Sequence, residues 1–221
     1  MAKKRISDVL IEVLANAGIE RIYGITGDSL NSVNDSLRRN GKIAFEHVRH
    51  EETAAFAAGA EASLTGKLTV CAGSSGPGNL HLINGLFDCH RNRVPVLAIA
   101  SHIPQSEVGL NYFQETHPEN LFKECSCFCE LISNPKQMPE ILFRAMNAAV
   151  GNQDVAVIVL PGDVAVMETE IDELPVWHHP RLPHIVPQRE DIEEMSAHLE
   201  KGERITLFCG AGCEGAHDEV V

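Results

Sequence analysis

The sequence predicts an α/β fold: a doubly wound parallel sheet with helices on both faces. Three observations carry this. Short apolar, β-branched runs alternate along the 221 residues with segments whose apolar positions recur at helical spacing. Two of the runs, residues 94–100 (VPVLAIA) and 155–160 (VAVIVL), are apolar almost without interruption, the pattern of strands covered on both faces. A glycine-rich loop, residues 73–79 (GSSGPGN), stands between a strand and a helix, where backbone can approach a ligand closely.

Each element follows from local pattern. Ile6, Val9, Leu10, Val13 and Leu14 share a helical face, and Gly18 stops that helix. Residues 19–26 read as a buried strand. Gly27, Asp28 and Ser29 turn the chain into a helix bearing Leu30, Val33 and Leu37, with Asp28 or Ser29 as its N-cap. Residues 42–48 form the next strand and residues 53–62 a small-residue helix. A third strand at 68–72 runs into the glycine-rich loop, and a helix with Leu80, Ile83, Asn84 and Phe87 on one side follows. After residues 94–100 comes a long polar loop, 101–117, of a length often given to function. Residues 121–131 are expected as a strand with Cys125, Cys127 and Cys129 on one face. A helix at 135–152 and the strand at 155–160 close the unit.

The composition changes from residue 168. Pro175, Pro180, Pro183 and Pro187, with His178 and His179, mark a linker whose histidines are solvated rather than metal ligands. Residues 1–170 are therefore one domain, 171–189 a linker, and 190–221 the beginning of another. That second stretch reads as a helix (190–200), a strand (204–209) and the glycine pattern G-x-G-x-x-G at 210–215, the dinucleotide fingerprint in its strand-to-helix setting. The acidic residue that completes the fingerprint about 20 positions on would fall beyond Val221, so the chain is expected to be the front of a longer one.

Bulk properties exclude several classes. The formal net charge of −13 argues against nucleic acid, whose phosphates need clustered Lys and Arg. No apolar stretch reaches the roughly 20 residues of a membrane span, and the Lys-Lys-Arg start has no signal-peptide core behind it. The seven cysteines sit mostly in apolar surroundings and are expected as reduced thiols of a cytoplasmic protein. C-x-C-x-C without a chelating turn reads as packing, and no metal ligand is assigned. The glycine-rich loop lacks the Lys-Ser/Thr ending of a Walker loop.

The junction at Arg49-His50-Glu51-Glu52 admits two readings. Carboxylates in a helix's first turn are favoured by orphan N–H groups and the dipole. Alternatively, Glu51 is a catalytic carboxylate at the carboxyl edge of a parallel sheet, where α/β proteins hold ligands.

Four stretches now carry a resemblance: YGITGDSL at 23–30, RHEETAAFAAGA at 49–60, GPGNLHLINGLFD at 76–88 and YFQETHP at 112–118. Across essentially its whole length the chain resembles the N-terminal part of thiamine-diphosphate-dependent enzymes of the pyruvate oxidase and acetolactate synthase family, the oxidase branch most closely. The resemblance implies that residues 1–170 are the pyrimidine-binding domain and that residue 190 opens a central FAD-binding domain. It implies thiamine diphosphate, FAD and Mg²⁺ as cofactors, the Mg²⁺ and diphosphate site lying in a domain outside this chain. Glu51 becomes the carboxylate that shares a proton with the aminopyrimidine N1′. Gly27 and Pro77 meet the pyrimidine ring, His81 points toward the cofactor, and Phe113 and Gln114 line the substrate side from across a subunit interface. The parent would decarboxylate pyruvate oxidatively to acetate and CO₂ and pass electrons to a quinone. It would be a dimer of dimers, cytoplasmic or peripheral on the inner membrane face through its C-terminus, and this portion alone would be inactive. The competing expectations are an acetolactate synthase-like carboligase and a non-catalytic pyrimidine-domain module.

Overall fold

The computed structural model describes residues 2–171, 173–174, 176–181, 183 and 185–221. The chain falls into two compact units, Met1–Leu182 and Pro183–Val221. In the first, β1 (Ala2–Arg5) leads into α1 (Ile6–Asn16). Then follow β2 (Arg21–Gly24), α2 (Asn31–Asn40), β3 (Ala44–His47), α3 (Glu51–Thr65), β4 (Thr69–Gly73), α4 (Pro77–Asn92) and β5 (Val96–His102). After a long loop come α5 (Pro118–Leu121), β6 (Phe128–Leu131), α6 (Met138–Asn152), β7 (Val155–Pro161), α7 (Gly162–Val166) and β8 (Glu168–Ile171).

Six strands make one parallel sheet in the order β3-β2-β4-β5-β7-β6. β4, β5 and β7 are buried at every residue, as their largely apolar sequences suit, with Thr69, Ser101 and His102 buried among them. Alternate side chains face opposite layers. Leu97, Ile99, Ala156 and Ile158 pack with α1, α2 and α6, whereas Val96, Ala98, Val155 and Val157 pack with α3 and α4. The predicted doubly wound sheet is therefore present, with a core on each face. Strand order reverses between β2 and β4, so the loops leaving those two carboxyl ends diverge and open the crevice where such sheets hold ligands.

Four expectations need correction. Neither Asp28 nor Ser29 caps α2: Asp28–Leu30 form a 3₁₀ turn, and among the described residues no side chain caps the helix that follows. The Ser29 hydroxyl is used instead by a neighbouring loop. Cys125, Cys127 and Cys129 do not share a strand face, because only Phe128–Leu131 find ladder partners on β7. Cys125 is buried in the preceding turn, Cys127 is exposed and Cys129 half-buried. Residues 168–171, where the composition turns linker-like, form β8, which pairs antiparallel with β1. Finally, residues 204–209 form no strand. Ile205, Leu207 and Phe208 are exposed, and no second strand is present among the described residues of that unit to accept their N–H and C=O groups.

The second unit contains α8 (Arg189–Leu199) and α9 (His217–Val220), neither of which buries a residue. Pro175 of the expected linker lies outside the described residues; His178 and His179 are exposed. Among the described residues no helix is long and apolar enough to cross a membrane.

Candidate active site

α3 begins at the carboxyl edge of the sheet because β3 ends at His47 and the chain must turn back over it. His50 is its N-cap, with extended backbone, and its Nδ1 accepts the Glu52 N–H at 3.3 Å. Glu51 is therefore the first helical residue, in the turn where free N–H groups favour a carboxylate. It is only 8% exposed. Its Oε2 takes a hydrogen bond of 3.0 Å from the His81 Nδ1 on α4. Among the described residues no hydrogen bond reaches Oε1, and a side chain added at Gly78 would lie 3.3 Å from that oxygen. Glu51 thus presents one tethered and one uncommitted oxygen beside a residue that has no side chain. Glu52, its neighbour, is more exposed and is bonded by Asn84.

The glycine-rich loop between β4 and α4 joins the separate parts of the site. Gly27 lies so near it that a Cβ there would overlap the Ser74 side chain. The Ser29 and Ser74 hydroxyls are 2.9 Å apart, and the Ser75 N–H donates to Ser29 Oγ at 2.9 Å. Gly76 has φ +68°, and a Cβ on it would meet the Gln114 Cβ at 2.7 Å, so only glycine suits both the backbone and the contact. Pro77, exposed, opens α4 at its first position, where its missing N–H costs nothing. Asn79 is buried and donates to the Ser101 carbonyl at 2.7 Å, tying the loop to the end of β5.

A cavity of about 290 Å³ adjoins this loop. Asp28, Ser29, Ser75, His102, Phe113 and Gln114 are among its walls. Phe113 is 80% exposed and projects from the loop after β5. The Glu115 carboxylate shapes that loop by accepting the N–H groups of Gly109 and Tyr112, which hold its carboxyl below the usual carboxylate range. His102 is buried, its Nδ1 has no partner among the described residues, and burial pushes its pKa down.

The predicted site residues thus fall into two linked groups. Glu51, His81 and Pro77 cluster at the start of α3 and α4, and Phe113 and Gln114 line the cavity, where Glu51 does not appear. The Gly73–Ser75 loop region and Gly27 lie between them. Sequence reasoning passed over Ser29, Ser74, Asn79, Ser101 and His102. The available signal was their position: Ser101 and His102 end an otherwise apolar strand, and Ser29, Ser74 and Asn79 lie in the turns and the helix start that follow two others.

Residues 4–121 match the family described as "Thiamine pyrophosphate enzyme, N-terminal TPP binding domain". The chain belongs to the thiamine pyrophosphate enzymes. It is 58% identical over its whole length to an uncharacterized 42.6 kDa protein in the isoamylase 3′ region of Pseudomonas amyloderamosa, of which it covers 56%. It is 32% identical to the pyruvate oxidase of Lactiplantibacillus plantarum, over 96% of this chain and 36% of that one. It is 28% identical to acetolactate synthase 2 of Zea mays, over 97% of this chain and 34% of that one. The chain thus spans about half the length of the first relative and about a third of the other two. Within this family the arrangement around Glu51 fits thiamine pyrophosphate: a largely buried carboxylate with one uncommitted oxygen faces a position cleared by Gly78.

Proposed function

We propose that this chain is the pyrimidine-binding part of a pyruvate oxidase, an enzyme that decarboxylates pyruvate oxidatively to acetate and passes the electrons to a quinone. The observation that carries the thiamine diphosphate part of the reading is the Glu51 carboxylate, held by His81 through one oxygen and without a hydrogen bond to the other among the described residues. Thiamine diphosphate, when bound, supplies an electron sink for decarboxylation of a 2-keto acid. The uncommitted oxygen of Glu51 would hold the proton that it shares with the pyrimidine ring when the cofactor is bound. His81 fixes the carboxylate's orientation. The loop at 73–79 offers Pro77 and the open space at Gly78 to the ring, and Gly27 braces that loop from the β2 side. Phe113 and Gln114 stand toward the substrate.

The flavin part of the reading rests on the resemblance of the sequence. Among the described residues the glycine pattern at 210–215 has no preceding strand, so this unit shows no strand–turn–helix cradle, and no step is assigned to a flavin here. Mg²⁺ and the diphosphate group belong to a part of the enzyme outside this chain, and pairing of subunits across the site belongs to the same proposal.

The second reading is an acetolactate synthase, favoured by the 28% identity with the maize enzyme over nearly the whole chain. Tyr112 and the Thr116-His117-Pro118 sequence after Gln114-Glu115 lean toward the oxidase. The test is anaerobic addition of pyruvate to the assembled enzyme that carries this chain, with product analysis. Bleaching of a bound flavin with formation of acetate supports the oxidase. A flavin that stays oxidised while acetolactate accumulates replaces it with the synthase.

A further inference from the structure

We propose that His50, Glu51 and His81 form a binding site for one divalent transition-metal ion of the zinc class. One ligand atom from each of the three lies within 4.8 Å of the other two. His81 Nδ1 and Glu51 Oε2 are already 3.0 Å apart. Two donors each bonded to one tetrahedral ion at about 2.0–2.2 Å stand roughly 3.3–3.6 Å from one another, so this pair becomes a pair of co-ligands on opening by a few tenths of an ångström. The His50 and His81 rings stack with centroids 4.3 Å apart. Their side chains are 48% and 44% exposed, so each ring can turn about its own side-chain bonds without leaving a packed core.

The donor set decides the class of ion. Two imidazoles and one carboxylate suit zinc and its neighbours and leave coordination positions open to water or a ligand. Calcium and magnesium want oxygen donors and are disfavoured by the two nitrogens. The three residues come from the starts of α3 and α4, which pack against each other, so the framework is rigid while the two rings are adjustable. An ion held here engages the Glu51 carboxylate, so an occupied site and proton sharing by Glu51 exclude one another. The site stands on the three side chains; only this exclusion rests on the proposed reaction, and metal binding is read without it.

Calorimetric titration of the chain with Zn²⁺ at neutral pH tests the proposal, with Co²⁺ as a visible-absorption probe of the same site. The expected result is one saturable site per chain. His50→Asn, His81→Asn and Glu51→Gln should each weaken it by more than the roughly 10–100-fold that loss of an outer-shell partner costs. His81→Cys keeps a zinc ligand and should retain binding, which separates ligation from a folding defect. The exposed pair His178 and His179 is the competing explanation, so His178→Asn/His179→Asn should leave the titration unchanged. Absence of a saturable site would overturn the proposal. So would binding that survives in His50→Asn/His81→Asn, or that vanishes in His178→Asn/His179→Asn.

Discussion

Glu51 and Glu52 are adjacent in the chain and share one helix turn, yet their surroundings give them different chemistry. Glu52 faces Asn84 near solvent, whereas Glu51 is closed in by Gly78 and His81 with one oxygen left over. His102 shows the same dependence on surroundings. It is buried at the end of β5 and its pKa is pushed down by burial. In the unfolded chain a histidine titrates near 6.5. As the pH falls the unfolded chain therefore takes up this proton first, and the native state loses stability from about pH 6.5 down to the lower native pKa, below which the difference is constant. Urea midpoints should fall more between pH 7.5 and 5.5 in the wild type than in His102→Gln. Parallel pH profiles in the two proteins would refute this role for His102.

At the scale of elements, the site depends on how closely α3 and α4 approach. Ala54, Ala55 and Ala58 on α3 are fully buried, and Gly85 and Cys89 on α4 meet them. Small residues on both faces let the helix starts converge, which is what brings Glu51 to His81. Ala55→Leu inserts a side chain where none fits. It should cost about 1–3 kcal/mol of stability, read as a drop in the urea midpoint, and should loosen the 3.0 Å contact between His81 and Glu51. An unchanged midpoint would mean that the helices separate freely. The small-residue face of α3 was legible in the sequence, because Ala54-Ala55-Phe56-Ala57-Ala58-Gly59 has little else to offer. Its partner was not: Glu51 and His81 are 30 positions apart, and only the crossover from β3 to β4 places their helices side by side.

For the whole molecule, the central sheet could be read from residues 94–100 and 155–160, since strands buried on both faces have no polar positions to obscure them. The β1–β8 pair could not. Lys3 stands opposite Glu170 and Arg5 opposite Glu168, and each strand alone is a charged tetrapeptide whose pairing is visible only across the full domain. The expected strand at 204–209 failed for the converse reason: its apolar composition suits a strand, but a strand exists only with a ladder partner. The second unit carries this further. α8 buries none of its 11 residues, and an isolated helix shorter than about 12–15 residues is marginal in water. Amide exchange of Arg189–Leu199 should therefore be fast, with β5 and β7 protected by the global stability of their unit. Equal protection of α8 and β5 would contradict that picture.

The most direct test lies in the pair of adjacent carboxylates. In the assembled, thiamine diphosphate-loaded enzyme, turnover of pyruvate should be measured for wild type, Glu51→Gln and Glu52→Gln. Proton transfer by a positioned side chain contributes about 10²–10⁴-fold to rate, so Glu51→Gln should lose activity on that scale while Glu52→Gln stays near wild type. Full turnover in Glu51→Gln, or equal losses in both, would show that the buried carboxylate at the start of α3 is a helix-terminus residue and that the reaction is run from elsewhere.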